Sequence, residues 1–180
     1  MAPSLLRRPC ALAATLALLG PACSTLDPVP APADPGPSTG FAPTTEERAE
    51  LLDLVQRTFD AIRDGDSSRW RELLLEEGAF TSWSSARREA RVTTFEDLRS
   101  REAGPSGRYL ERCWDARILV EGDLAMIWTP YDFHIDGAFS HSGIDVFTLL
   151  RTPAGWRVAS ITYTVDPEQR PDNPLAPPTP

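Results

Sequence analysis

Between Leu124 and Leu149 the chain reads LAMIWTPYDFHIDGAFSHSGIDVFTL, two long runs of strand-forming residues separated by Asp136-Gly137. An Asp-Gly pair between alternating apolar residues is a strong hairpin signal, because both turn positions need positive φ, which Gly adopts freely and Asp tolerates. A hairpin this long constrains everything around it. Side chains alternate with period two, so a slip of one residue exchanges the two faces. With Asp136 and Gly137 as the loop, Ile135 pairs with Ala138, and strict pairing outward sets Asp132 opposite His141, Pro130 opposite Gly143, Trp128 opposite Asp145 and Met126 opposite Phe147. These residues then share one face, while Ile127, Tyr131, Phe133, Ile135, Ile144, Val146 and Leu150 share the other. Pro130 cannot donate to a ladder, so it marks an edge or a bulge, and a bulge there would turn over the faces on one side of it.

The first 22 residues read as a secretory signal. Arg7 and Arg8 precede an apolar run from Ala11 to Leu19 that is too short to span a bilayer, and small residues lead to Cys23. The arrangement resembles a bacterial lipoprotein signal, which implies lipidation of Cys23, although Gly20 stands where that motif favours Leu. Ordinary cleavage after Ala22 is the alternative. Ser24 rather than Asp after the Cys implies outer-membrane sorting in a Gram-negative cell, and the expected location is a membrane-anchored protein facing the periplasm or cell exterior. Residues 23–43 carry Pro28, Pro30, Pro32, Pro35, Pro37 and Pro43 and read as an extended spacer. Cys10 leaves with the signal, so Cys113 is alone in the domain and no disulfide framework is expected. A net charge of −8 argues against nucleic-acid binding.

Thr44-Thr45-Glu46-Glu47 is a capping box that opens a helix with an apolar stripe of Leu51, Leu52, Val55, Phe59 and Ile62, stopped by Gly65. Asp66 caps a shorter helix with Trp70, Leu73 and Leu74 inward, ended by Gly78. Ala79 to Ser85 reads as a loop or short extended piece carrying Phe80 and Trp83. Thr94-Phe95-Glu96-Asp97 starts a third short helix, broken by Gly104-Pro105. From Tyr109 the period becomes two: a strand over Tyr109–Val120, a turn at Glu121-Gly122, the hairpin, and a last strand over Gly155–Val165. The tail, 167–180, is again proline-rich. Helices followed by an antiparallel meander give an α+β domain over 44–166, with helices on one face of a curved sheet.

This order, with Asp64-Gly65-Asp66 between the first two helices, resembles the nuclear transport factor 2-like superfamily, and in particular its polyketide-cyclase-like and proposed lumazine-binding bacterial branch. The likeness rests on Trp114-Asp115, Ala125-Met126-Ile127-Trp128, Pro130-Tyr131-Asp132-Phe133, the run Ser140 to Phe147, Gly155-Trp156 and Ile161. It implies a cone-shaped, curved antiparallel sheet with the N-terminal helices on its concave face and a pocket between them. The superfamily includes ketosteroid isomerases, and there the match fails. Thr58, in Gln56-Arg57-Thr58-Phe59, stands where those enzymes carry a tyrosine, and the general-base position falls near Ser82. Only Asp145 matches a functional carboxylate, so isomerase chemistry of that kind is not expected.

If Asp145 points inward, as the resemblance implies, so do His141, Trp128, Asp132, Phe147, Cys113 and Asp115 on the pairing given above. The candidate acid–base groups are therefore His141, Asp145 and Asp132. The candidate ligand-binding residues are Trp128, Phe147, Tyr131, Cys113, Asp115 and Trp83, with Tyr131 joining only if Pro130 marks a bulge. Asp132–His141 as a plain cross-strand pair on a sheet surface is the competing reading. His134 and His141 lack diagnostic ligand spacing, so no metal is expected, and no phosphate loop, nucleophile elbow or dinucleotide fingerprint points to a cofactor. Three functions remain open: a module binding a small apolar or aromatic molecule, an enzyme of cyclase, isomerase or dehydratase type, and a dimerisation or scaffold module.

Overall fold

The computed structural model describes residues 41–65, 67–100 and 107–178. The signal, most of the spacer, the Asp66 cap and the Gly104-Pro105 break lie outside the described residues. Helix α1 spans Thr45–Asp64, and the Thr44 capping box forms, with the Thr44 side chain accepting from the Glu47 N–H and the Glu47 carboxylate accepting from the Thr44 N–H. It ends at Gly65, whose left-handed φ of 62° suits glycine. Helix α2 (Ser67–Leu73) leads directly into strand β1 (Leu74–Ser84). Strand β2 (Glu89–Thr94) turns back along it, and helix α3 (Phe95–Arg99) follows, opened by a second capping box on Thr94 and Asp97.

Strands β3 (Tyr109–Cys113) and β4 (Arg117–Glu121) replace the single strand expected over Tyr109–Val120. Both pair with β5 (Leu124–Ile135), which forms the hairpin with β6 (Ala138–Thr152), and β7 (Gly155–Val165) closes the sequence of strands. The sheet order is β2-β1-β7-β6-β5-β3, with β4 also on β5. The stretch read as a loop at Ala79 to Ser85 is thus the body of β1. It joins β7 in parallel, so an otherwise antiparallel sheet is mixed. Glu76, Glu77 and Gly78 hid this strand, because the β1–β7 register breaks between Leu74 and Ala79 and interrupts the alternation.

The turn forms as expected, with φ of 54° at Asp136 and 84° at Gly137, and Ile135 pairs with Ala138. The register beyond it differs from strict pairing. His134 pairs with Phe139 but Phe133 pairs with His141, leaving Ser140 as one extra residue in β6. The bulge lies here and not at Pro130. The faces are therefore re-dealt: Asp132 lies opposite Ser142, Trp128 opposite Val146, and Thr129, Tyr131 and Phe133 lie opposite Asp145, Gly143 and His141. Pro130 is tolerated for a separate reason. Its carbonyl accepts from Trp114 at 3.2 Å in the gap between β3 and β4, so its missing N–H faces a place where the ladder is already broken.

Helix α1 packs its buried side, Leu51, Leu54, Val55, Thr58, Phe59 and Ala61, into the concave face. Phe59 meets Phe147 edge-on at 6.0 Å, within a core completed by Ile127, Leu149, Val158 and Ile161. Trp70, Phe80 and Phe95 form a second aromatic run joining α2, β1 and α3. The tail packs on the outer face of the sheet, where Asp166 bridges Ser142 and the Ser142 hydroxyl donates to the Glu168 carbonyl at 2.6 Å.

Gly143 has the tightest surroundings among the described glycines. A methyl group there would stand 2.0 Å from the carbonyl oxygen of Thr164, a backbone atom that cannot swing aside. That same carbonyl accepts from the Tyr131 hydroxyl at 2.8 Å. Gly143→Ala is expected to lower stability by about 2–4 kcal/mol, because the clash forces β6 and β7 apart. Chemical denaturation checks this, and an unchanged midpoint would refute the close approach.

Candidate functional site

The concave face beyond the apolar core is polar, and the corrected register says which residues make it. Across one row stand Ser82, Tyr163, Asp145 and Thr129; in the next are Ser84, Val165, Gly143, Tyr131 and Cys113; then come His141, Phe133 and Glu111. Asp145 is 2% exposed, and its carboxyl lies close enough to that of Glu111 for its charge to act on it. Glu111 is half-buried as a residue, but its carboxyl is turned inward. Burial pushes both carboxyls up, and the Asp145 charge pushes Glu111 further, while Asp145 reaches about 8. Two carboxylates this close cannot both ionise, so the pair holds a proton at neutral pH. Oδ2 of Asp145 has no hydrogen-bond partner.

Aromatic residues surround the pair. Tyr131 is buried and packs edge-on against His141 and Tyr163. His141 stacks on Phe133 at 4.9 Å, and burial pushes its imidazole down, which keeps it neutral at pH 7. Burial and then the nearby carboxyls raise the Tyr131 hydroxyl, and burial raises Tyr163 despite a hydrogen bond with Ser82. Cys113 shares this interior, and burial lifts its thiol to about 11, far from a nucleophilic thiolate. From Tyr163 and His141 the interior opens into a cleft of about 570 Å³, walled by Phe80, Ser82, Ser84, Arg91, Val165 and Pro167 among others.

The structure brings together His141, Asp145, Tyr131 and Cys113, and it separates the other residues named from the sequence. Asp132 lies on the opposite face of the sheet from His141, because the extra Ser140 shifts the pairing. There its carboxylate is fully buried and bound by Arg112 through Nε at 2.9 Å and Nη2 at 2.5 Å, by Nε2 of His134 at 3.2 Å and by Nδ2 of Asn173 at 2.9 Å. Burial raises this carboxyl, but the Arg112, His134 and Asn173 hydrogen bonds outweigh it and hold the pKa below the usual range. Arg112 also donates to the Ala176 carbonyl at 2.6 Å, so the cluster clamps the tail and is structural. Trp128 is on the outer face under the Arg117 guanidinium, 5.1 Å away. Phe147 is core. Asp115 is exposed in the β3–β4 turn at φ 47°, and Trp83 is 45% exposed, since its neighbours Ser82 and Ser84 take the inward positions.

Sequence reading missed Glu111, Tyr163 and Arg91. Glu111 was within reach: it alternates with Cys113, so an inward Cys113 carries Glu111 with it. Thr58 donates to the Leu54 carbonyl at 2.8 Å, so this hydroxyl is spent inside α1. Among the described residues no cluster of three or more His, Cys, Asp or Glu side chains forms a metal site.

No family model matches the chain, and no curated protein matches it. Solved structures do. A protein of unknown function from Mycobacterium tuberculosis is 20% identical over 74% of this chain and 84% of its own, with a TM-score of 0.56. A protein of unknown function with a cystatin-like fold from Nostoc punctiforme is 15% identical over 74% of this chain and 98% of its own, at 0.54. A nuclear transport factor 2-like protein of unknown function from Silicibacter pomeroyi is 19% identical over 69% and 99%, at 0.53. The chain therefore has the nuclear transport factor 2-like fold, a curved sheet wrapped on N-terminal helices.

The carboxyl pair ties stability to pH. Folded-state values raised above those of the unfolded chain stabilise the protein below about pH 4, and that stability is lost as pH rises through about 8. Wild-type protein is expected to lose stability, on the order of 1–3 kcal/mol, between pH 7 and 9, where His141 is already neutral. The double variant Glu111→Gln/Asp145→Asn is expected to flatten that slope. Equal slopes in denaturation series at pH 7, 8 and 9 would contradict the shared proton.

Proposed function

We propose that this chain is an exported, lipid-anchored domain that binds a small molecule in the cleft between β1–β2 and β6–β7. The observation that carries this reading is the cleft itself. Its volume of about 570 Å³ lies within the usual range for small-molecule sites, and it joins an aromatic wall to a few convergent polar groups at the open end of a cone. Phe80, Tyr163 and Val165 supply apolar and aromatic surface, while Ser82, Ser84, Ser140 and His141 supply hydrogen-bonding groups. A panel of small aromatic molecules screened by ligand-observed NMR is expected to give binders that Tyr163→Leu weakens roughly tenfold or more. A panel with no binder at millimolar concentration would refute the reading.

A second reading is favoured by one observation, the Glu111–Asp145 pair, whose Asp145 stands across the strands from Tyr163. A carboxyl that holds its proton to about pH 8 beside an unpartnered carboxylate oxygen is equipped to exchange a proton with a bound molecule. In that case turnover of a cleft ligand would fall in Asp145→Asn while binding survived.

Export and anchoring rest on the sequence around Cys23 and on the proline-rich spacer after it. Among the described residues no helix is long and apolar enough to cross a membrane; in this proposal the attachment is the lipid on Cys23. Labelled palmitate fed to expressing cells is expected to enter the wild-type chain and not Cys23→Ser, which should leave the membrane fraction. Equal fractionation of the two would exclude the anchor.

A further inference from the structure

The walls of the cleft have an unusual charge pattern for this chain. The whole sequence carries a formal net charge of −8, yet the cleft-lining residues include Arg87 and Arg91 and no Asp or Glu. The two arginines are not equivalent. Arg87 is committed to Glu89 at 2.6 Å, whereas no carboxylate pairs with Arg91 among the described residues. Arg91 stands on β2, opposite Ser82 on β1, and its charge acts on the Tyr163 hydroxyl. Asp145, the cross-strand partner of Tyr163, shares a proton with Glu111, which softens the pair's repulsion of an incoming anion. The remaining polar wall holds His141 and the hydroxyls of Ser82, Ser84, Thr93 and Ser140; Ser82 donates to the Arg91 carbonyl at 3.5 Å and Ser140 lies 3.0 Å from Nδ1 of His141, and a hydroxyl can turn to donate to an oxyanion.

We infer that the molecule bound in this cleft is a small planar aromatic carboxylate, with Arg91 pairing its carboxylate and its ring lying against Phe80 and Tyr163. This rests on the binding reading given above. A single free guanidinium matches a single carboxylate, which it meets through two parallel N–H donors. An unpaired arginine beside aromatic walls favours a ligand with the charge at one end and the ring at the other. Arg91 is solvent-exposed, so a purely apolar ligand would make no use of its charge, and a cationic one would be repelled by it.

The test compares 2-naphthoate with its neutral amide, 2-naphthamide, on the full-length protein by titration calorimetry and by NMR shifts of β1, β2 and β7 amides. The carboxylate is expected to bind roughly tenfold more tightly than the amide, with the preference shrinking as salt rises. Arg91→Gln is expected to abolish that preference while keeping the wild-type melting temperature, and Arg57→Gln on the exposed side of α1 is expected to retain it. Equal binding of acid and amide in the cleft would overturn the carboxylate assignment and leave the cleft reading standing. A preference that survives Arg91→Gln would overturn the role of Arg91. Failure of both compounds to bind would overturn this inference and count against the cleft reading together.

Discussion

The pairing of β5 with β6 is the constraint on which the rest of the structure depends. Strands β3 and β4 hang from one side of this ladder and β7, β1 and β2 from the other, so its register decides which side chains every neighbour meets. One extra residue, Ser140, moves Tyr131 and Thr129 inward beside Asp145 and turns Asp132 outward. Gly143 then leaves room for the Thr164 carbonyl to come over the sheet and take the Tyr131 hydroxyl. The bulge and this glycine thus build the polar end of the cone together, since a side chain at Gly143 would hold β7 away and strand a buried phenol.

Two aspartates of the same hairpin show what the two faces do with similar chemistry. Asp132 outside is surrounded by donors from Arg112, His134 and Asn173 and remains ionised, which makes it a fixture for the tail. Asp145 inside meets another acid and two tyrosines, has one oxygen without a partner, and retains a proton. A satisfied buried charge stabilises and orients its surroundings. A buried carboxyl without donors costs stability, and this one stands on β6 opposite Tyr163, a residue of the cleft wall.

Much of this was legible in the sequence. The capping box at Thr44, the Gly65 stop, the Asp136-Gly137 turn and the strand over Gly155–Val165 rest on local chemistry and form as read. The register was not legible, because a bulge at Ser140 leaves no local mark: Phe139-Ser140-His141 alternates as well with the extra residue as without it. Strand β2 carries Arg91 but has an exposed, charged pattern that looks like loop, and β1 is interrupted at Gly78. The candidate site was therefore half found. His141, Asp145 and Cys113 were placed inside, Tyr131 was placed there only on condition of a bulge at Pro130, whereas the bulge is at Ser140, and Glu111, Tyr163 and Arg91 came only with the strand pairing.

The most direct measurement is a crystal structure of the protein purified from its producing cells with no ligand added. The account predicts a cleft open between β1–β2 and β6–β7, holding a bound molecule against Tyr163, His141 and Arg91 that mass spectrometry of the extract can identify. A cleft filled by the protein's own side chains, with Tyr163 and Arg91 turned outward, would contradict it.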